Sequence, residues 1–288
     1  MGTKKIFQLG IVGAVVFTTI MFSREQQVLG NTTAPSHTCE VSDGSKTWTL
    51  TREQAKNAAI ITSEANRANL TTRAVTIGIA TALQESYLEN LDYGDRDSLG
   101  MFQQRPSQGW GTPEQVQDPY YSSAKFFSSL IKVDHYLDLP LTQSAQAVQR
   151  SAFPDAYAKH EPQADAWARA LAGENGSALR CSAIPDATNH SGPDTLNENI
   201  KNNFLTSLQR NYPNIRLETS GITNSVVVIP NNSAEAWKIS NWVAINSADL
   251  NVQQILVSNY IWFTNHGYWK QNQSATDNNR LTVFFNPN

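Results

Sequence analysis

Hydrophobic and polar positions change their pattern four times along the chain. A predominantly apolar run from Ile6 to Phe22 follows Lys4 and Lys5 and ends in the polar stretch Ser23 to Gln27. Its length approaches a bilayer span, so residues 1–30 read as an export segment, either a cleaved signal peptide or an uncleaved membrane anchor. Arg24 and Glu25 stand where a cleavage site wants small residues, and Val28-Leu29-Gly30 is the nearest substitute. Residues 31–46 have little periodicity and read as a tether. From Trp48 the pattern turns helical. Thr51 and Gln54 form a capping box that predicts a helix over 52–66. A second helix is predicted from Thr71 or Thr72 to Gln84-Glu85-Ser86. Its residues Ala74, Val75, Ile77, Ile79, Ala80, Ala82 and Leu83 are apolar nearly all the way round, as in a helix buried on every side. Further helices are predicted at 113–132, 142–151 and 154–172, with Gly173 as the stop.

Residues 182–193 combine Ser, Pro, Asp, Asn and Gly and read as a linker. After them Leu196, Ile200, Phe204 and Leu208 recur every four residues, which predicts an amphipathic helix. The period then shortens. Val226 to Ile229, Val252 to Val257, Tyr260 to Phe263 and Leu281 to Phe285 read as short strands, with a helix over 233–247 before the second of them. The fold class that follows is a mainly α domain at 47–181 joined to a small α+β domain at 194–288.

Composition narrows the partners. Lys and Arg total 22 against 25 Asp and Glu, a net charge of -3, and charged residues make up only 16% of the chain. That balance offers no basic footprint for phosphate backbones, so nucleic acid is excluded as a partner. The single long apolar run excludes a multi-pass transporter. The basic flank of that run stays cytoplasmic by the positive-inside rule, which places the remainder outside the cell, secreted or anchored to the membrane by its N-terminal helix. In an oxidising compartment the two cysteines, Cys39 and Cys181, favour a mutual disulfide framing the helical region. Buried free thiols, or a Cys nucleophile paired with a His, are the alternatives, and neither cysteine has a supporting local motif.

The candidate chemistry lies at the end of the buried helix. Glu85 there sits in the negative end of the helix dipole beside apolar walls, and both raise a carboxyl pKa toward that of a general acid for glycosidic cleavage. By position alone, Glu85 also fits an ordinary solvated helix-end carboxylate. The following segment concentrates glycines, amides and aromatics: Gly94-Asp95-Arg96-Asp97-Ser98-Leu99-Gly100-Met101-Phe102-Gln103-Gln104-Arg105-Pro106-Ser107-Gln108-Gly109-Trp110-Gly111. Glu85-Ser86 closing a helix, then Ser98 and Gly100-Met101-Phe102-Gln103, resembles the lysozyme-like lytic transglycosylases of the soluble and goose-type group. Residues 94–111 are similar almost residue for residue to a secreted actinobacterial branch, which also carries the stretch found here from Ala147 to Pro154. The resemblance covers about residues 39–181.

That resemblance implies a lysozyme-like fold and a cleft for the glycan strands of peptidoglycan, with Glu85 as the single catalytic acid and then base. The 6-hydroxyl of N-acetylmuramic acid, rather than water, would attack the anomeric carbon and leave a 1,6-anhydro end. Ser86 would orient Glu85, and Ser98, Gly100, Phe102, Gln103 and Gln104 would line the sugar subsites. The family's Ala-Tyr-Asn motif is absent, and Gln149-Arg150-Ser151 or Tyr157 is expected in its place. No cofactor or metal is implied.

Other readings compete for the same residues. Asp95 and Asp97 resemble the start of a calcium loop, but Leu99 and Pro106 occupy ligand positions, which excludes an EF-hand. With Asp92 they either hold the loop or position a water, and a second carboxylate would permit inverting hydrolysis by a muramidase. His160-Glu161 lacks its second zinc ligand, since Ala164 stands there. Trp110 and Tyr120 suit sugar stacking or simple packing. Trp237, Trp242, Trp262 and Trp269 suit glycan stacking or the core of the second domain. That domain resembles a degenerate carboxypeptidase-type domain of actinobacterial wall proteins, with His266 its only histidine, so it is expected to be a non-catalytic accessory. A silent wall-binding protein is the alternative to the enzyme.

Overall fold

The computed structural model describes residues 38–151, 153–181, 198–272 and 280–286. The apolar run at 6–22 and the linker at 182–193 lie outside them. Helices account for about half of the described residues, and two antiparallel sheets make up most of the rest of the ordered backbone.

The chain enters through a hairpin, β1 (Thr38–Ser42) and β2 (Thr47–Thr51), in which Cys39 and Val41 alternate inward. Asp43 closes its turn by accepting the N–H groups of Ser45 and Lys46 at 2.8 Å each. Part of the stretch expected to be a tether is therefore a strand. Its period-two pattern covers two inward positions only, too few to stand out against the polar residues around it. A third strand, β3 (Leu179–Cys181), pairs with β1 in the order β2-β1-β3, with Cys39 opposite Cys181. The two are joined by a disulfide across 142 residues. Closing a loop of that length stabilises the fold by about 5 kcal/mol in the chain-entropy model. Changing both cysteines to Ser should therefore lower the thermal midpoint by about 10 °C or more. Alkylation without reduction should label neither thiol, and two labelled cysteines in oxidised, folded protein would contradict the bridge.

Helix α1 (Arg52–Arg67) starts on the predicted capping box: Thr51 Oγ1 accepts the Gln54 N–H at 3.2 Å and Gln54 Oε1 accepts the Thr51 N–H at 2.8 Å. Helix α2 (Thr72–Ser86) is buried from Ala74 through Leu83, as its apolar circumference predicts. It packs against α1, α4 (Pro119–Leu130), α5 (Leu141–Gln149) and α6 (Glu161–Leu171). The helix expected over 113–132 is two: α3 (Pro113–Gln117) ends at Asp118, whose side chain caps α4 by accepting the Tyr120 N–H. Pro119 forces the break, because it cannot donate to the preceding turn and suits the first position of a new helix. The predicted helix over 154–172 begins as a 3-10 segment, Pro154–His160, before α6.

The second region opens with α7 (Glu198–Asn211) and builds a six-stranded antiparallel sheet. Its strands are β4 (Arg216–Glu218), β5 (Ser225–Ile229), β6 (Val252–Val257), β7 (Tyr260–Phe263), β8 (Trp269–Gln271) and β9 (Leu281–Phe285), in the order β4-β5-β9-β6-β7-β8. The edge strands β4 and β8 are three residues each and carry no readable period. Trp242, Trp262 and Trp269 are buried, and Trp237 packs edge-on against Trp269 at 5.0 Å, so the tryptophans build the core here.

Helix α8 (Ser233–Ile245) lies between this sheet and the helices of the first region, touching β6 on one side and α1 and α6 on the other. A helix sandwiched in this way is buried nearly all round, and Ile239 through Ile245 are. Polar groups lock the contact. Arg52 is 7% exposed and donates to the carbonyls of Ala244 at 3.3 Å and Ile245 at 3.0 Å. Asn241 donates to the carbonyls of Ala170 at 2.9 Å and Gly176 at 3.0 Å. Lys56 pairs with Asp249 at 2.6 Å. One hydrophobic core runs through both regions, and residues 35–288 form one compact unit.

Candidate functional site

Helix α2 stops abruptly after Ser86. Tyr87 and Leu88 both adopt left-handed backbone (φ 56° and 63°), with their N–H groups donating back to Leu83 and Ala82. Such residues cost about 1–2 kcal/mol each when they are not glycine. The reversal is held from α1: Gln54 Nε2 donates to the Tyr87 carbonyl and Asn57 Nδ2 to the Leu88 carbonyl, each at 2.8 Å. Two amides thus fix the helix end on which Glu85 stands.

The Glu85 carboxyl is half-buried and lines a groove of about 1000 Å³. The fully buried Tyr157 donates its hydroxyl to Glu85 Oε1 at 2.7 Å, and the Gln149 side chain also hydrogen-bonds the carboxyl. Burial pushes the Glu85 pKa up, and the two hydrogen bonds pull it partly back. Burial, and after it the neighbouring Glu85, pushes the Tyr157 phenol well above its usual range, so it remains a donor. Gln149 Nε2 also donates to the Phe102 carbonyl at 2.7 Å, tying α5 to the glycine-rich loop. Both replacements expected for the missing motif therefore converge on Glu85. Removing the hydroxyl by Tyr157→Phe takes away a bond that favours the carboxylate, so the Glu85 pKa should rise further. Carbon-13 NMR titration of the labelled carboxyl checks this, and a fall would contradict it.

The glycine-rich loop splits into lining and scaffold. Asp95, Ser98, Gln103, Gln104 and Trp110 line the groove. Gln103 is placed by a left-handed backbone (φ 46°) and donates to the carbonyls of Tyr93 and Gly100 at 3.2 Å each. Gln104 pairs through its backbone with Leu99 and donates its amide to the Ser122 carbonyl at 3.0 Å.

Several expected contact residues are scaffold instead. Ser86 is buried and its hydroxyl donates to the Met101 carbonyl at 2.7 Å, with the Ala82 carbonyl at 3.2 Å as the alternative acceptor, so it is committed to backbone and not to Glu85. Phe102 is fully buried, its ring stacked on Phe126 at 4.7 Å. Gly100 has φ +75°, and a Cβ there would lie 2.2 Å from the Val116 carbonyl oxygen, so the glycine permits close backbone packing away from the groove. Tyr120 faces α7, beneath the Arg210 guanidinium at 3.6 Å and within hydrogen-bond reach of Asn211. Short-range motif matching cannot separate residues that face a ligand from those that hold the loop, because both are fixed by the same backbone.

The three aspartates have different fates. Asp92 is exposed outside the groove lining, and Asp95 is exposed on the groove wall. Asp97 accepts from Arg105 Nε at 2.8 Å and from the Ser107 N–H at 2.7 Å, and these bonds hold its carboxyl well below the usual range. It is a loop clamp. The groove also gains Lys125 and Lys132, from α4 and the turn after it, which no motif announced, and it is lined by Phe153, 74% exposed, from within the Ala147 to Pro154 stretch. Only the folding of α4 and α5 around the loop brings these into view. Among the described residues no group of three His, Cys, Asp or Glu side chains is arranged to hold a metal. Among the described residues every one that lines the groove falls between Glu85 and Phe153, and none comes from the sheet-rich region. Compared with protein-family models and with curated proteins, the chain matches none, and its assignment rests on the residues just described.

Proposed function

We propose that the protein is an exported peptidoglycan-cleaving enzyme, a lytic transglycosylase of lysozyme-like type, acting on the β-1,4 bond between N-acetylmuramic acid and N-acetylglucosamine. The observation that carries the reading is Glu85: a half-buried carboxyl of raised pKa, hydrogen-bonded by Tyr157 and Gln149, opening onto a groove of about 1000 Å³. A carboxyl whose pKa is raised by burial holds its proton to higher pH and can give it to the glycosidic oxygen as the C1–O bond breaks. The resulting Glu85 carboxylate then takes the proton of the muramyl 6-hydroxyl as that oxygen bonds to C1. The acid is restored and no water is consumed. Trp110 and Phe153 offer aromatic faces for sugar rings along the groove.

Engagement of Asp97 by Arg105 and Ser107, and the position of Asp92 outside the groove, favour this single-carboxyl route over inverting hydrolysis, which needs a second carboxylate free to hold water. The product decides between them. Mass spectrometry of digested glycan should show fragments one water lighter than hydrolytic muropeptides. New reducing ends would make the enzyme a muramidase with Asp95 as the remaining candidate for water activation. Residues 194–288 are read as a non-catalytic accessory region. The N-terminal segment is read as the export signal or anchor that brings the enzyme to the wall.

A further inference from the structure

The chain as a whole is slightly acidic, yet the groove is not. Five of its charged lining residues are cationic (Arg96, Arg105, Lys125, Lys132 and Arg150) and two are acidic (Glu85 and Asp95). Arg105 is engaged by Asp97, and Arg96 stands 4.0 Å from Asp95. Lys125, Lys132 and Arg150 have no ion pair among the described residues. Lys125 enters from α4 and Lys132 from the turn after it, with Ser129 between them, and Arg150 is the left-handed residue that terminates α5, at φ 54°. Cations from two separate elements therefore meet one concave surface. A concave surface of one sign focuses potential onto a ligand of the other sign. The sugar backbone of peptidoglycan is neutral and requires no such surface. Its negative charge lies in the peptide stems on the lactyl groups, as free carboxylates that amidation would erase.

We propose that the groove selects glycan strands whose peptide stems carry free carboxylates, with Lys125, Lys132 and Arg150 as the residues that read them. The inference rests on the muralytic reading for its substrate, but not on which product is formed. Aromatic faces and amides near Glu85 hold the sugars, and the cationic wall discriminates among strands by charge.

The test uses soluble strands from purified wall stripped of phosphate polymers, with amines acetylated, half of them then amidated at their carboxylates by carbodiimide and ammonia. At low ionic strength the protein should cleave the carboxylate strands with kcat/KM about tenfold above that for the amidated strands, as the loss of two or three exposed ion contacts would give. Added salt should close the gap, because exposed charges are screened within about 10 Å at 0.1 M. The Lys125→Gln/Lys132→Gln double variant should lose most of the preference, and adding Arg150→Gln should remove what is left. Equal kcat/KM for the two strands in the parent protein overturns the proposal, and so does a preference that survives the triple variant or is indifferent to salt. Titrating the same strands into the Glu85→Gln protein separates this from the broader reading. If neither strand is cleaved by the parent yet the carboxylate form binds more tightly, the enzymatic reading fails and charge selection stands. Neither cleavage nor a difference in binding removes both.

Discussion

Glu85→Gln should lower turnover of purified peptidoglycan by at least about 10²- to 10⁴-fold, the range general acid catalysis contributes, while leaving the fold intact. Gln keeps the size of the side chain and an oxygen to accept from Tyr157, but it carries no proton that can be given to a leaving sugar oxygen. Stability should move the other way. Burial raises the folded-state pKa of Glu85 above its unfolded value, so between the two the native state binds more protons than the unfolded state. Stability is therefore fully present below the ordinary carboxylate range and declines as pH rises through the raised pKa. Gln has no such decline, so at neutral pH the variant should melt no lower than the parent. Full activity in a folded Glu85→Gln protein would remove Glu85 from the catalytic role. Parent activity should also fall on the alkaline side above the usual carboxylate range, as the acid loses its proton.

The position of Glu85 was legible because two local signals coincide there, an apolar circumference that ends and a polar glycine-rich loop that begins. The capping box at Thr51 and Gln54 and the central burial of α2 were legible for the same reason: each is decided within one helix. The contacts of Ser86, Phe102 and Tyr120 were not, since each depends on what a distant segment presents. Met101 captures the Ser86 hydroxyl, Phe126 stacks on Phe102 and Arg210 covers Tyr120. Lys125 and Lys132 became groove residues only through the break at Pro119, which aims α4 independently of α3. β3, β4 and β8 were hidden by length, at three residues each, and β1 and β2 by their polar composition, with at most two buried residues in either.

Gly173→Ala should be strongly destabilising, and it bears directly on how the two regions depend on each other. The sequence marks Gly173 as the stop of α6, and its φ of +79° is what a helix-ending glycine supplies. The larger constraint comes from the other region. A Cβ at this position would lie 1.9 Å from the Ala234 carbonyl oxygen and 3.0 Å from the Lys238 nitrogen, both backbone atoms of α8. Neither can swing aside as a side chain would, so α8 must move off α6, disturbing the Asn241 bonds to Ala170 and Gly176 beside it. Left-handed strain of about 1 kcal/mol and overpacking of about 1–3 kcal/mol together give about 3 kcal/mol, or about 6–12 °C in Tm for a unit of this size. Gly44→Ala separates the two contributions. Gly44 also has a left-handed backbone (φ +92°), in the β1–β2 turn, but nothing lies within 4 Å of its added methyl, so it should cost only the strain. If Gly173→Ala melts no lower than Gly44→Ala, α8 is not held against α6 and the regions are separable. If it melts several degrees lower, a chain ending at Pro193 should fail to keep the groove folded. Arg52 would lose its acceptors at Ala244 and Ile245, and the α1 and α6 surfaces that now face α8 would be bare to water. The helix that carries Gln54 and Asn57, and with them the reversal after Glu85, would then lose its support from the sheet-rich region.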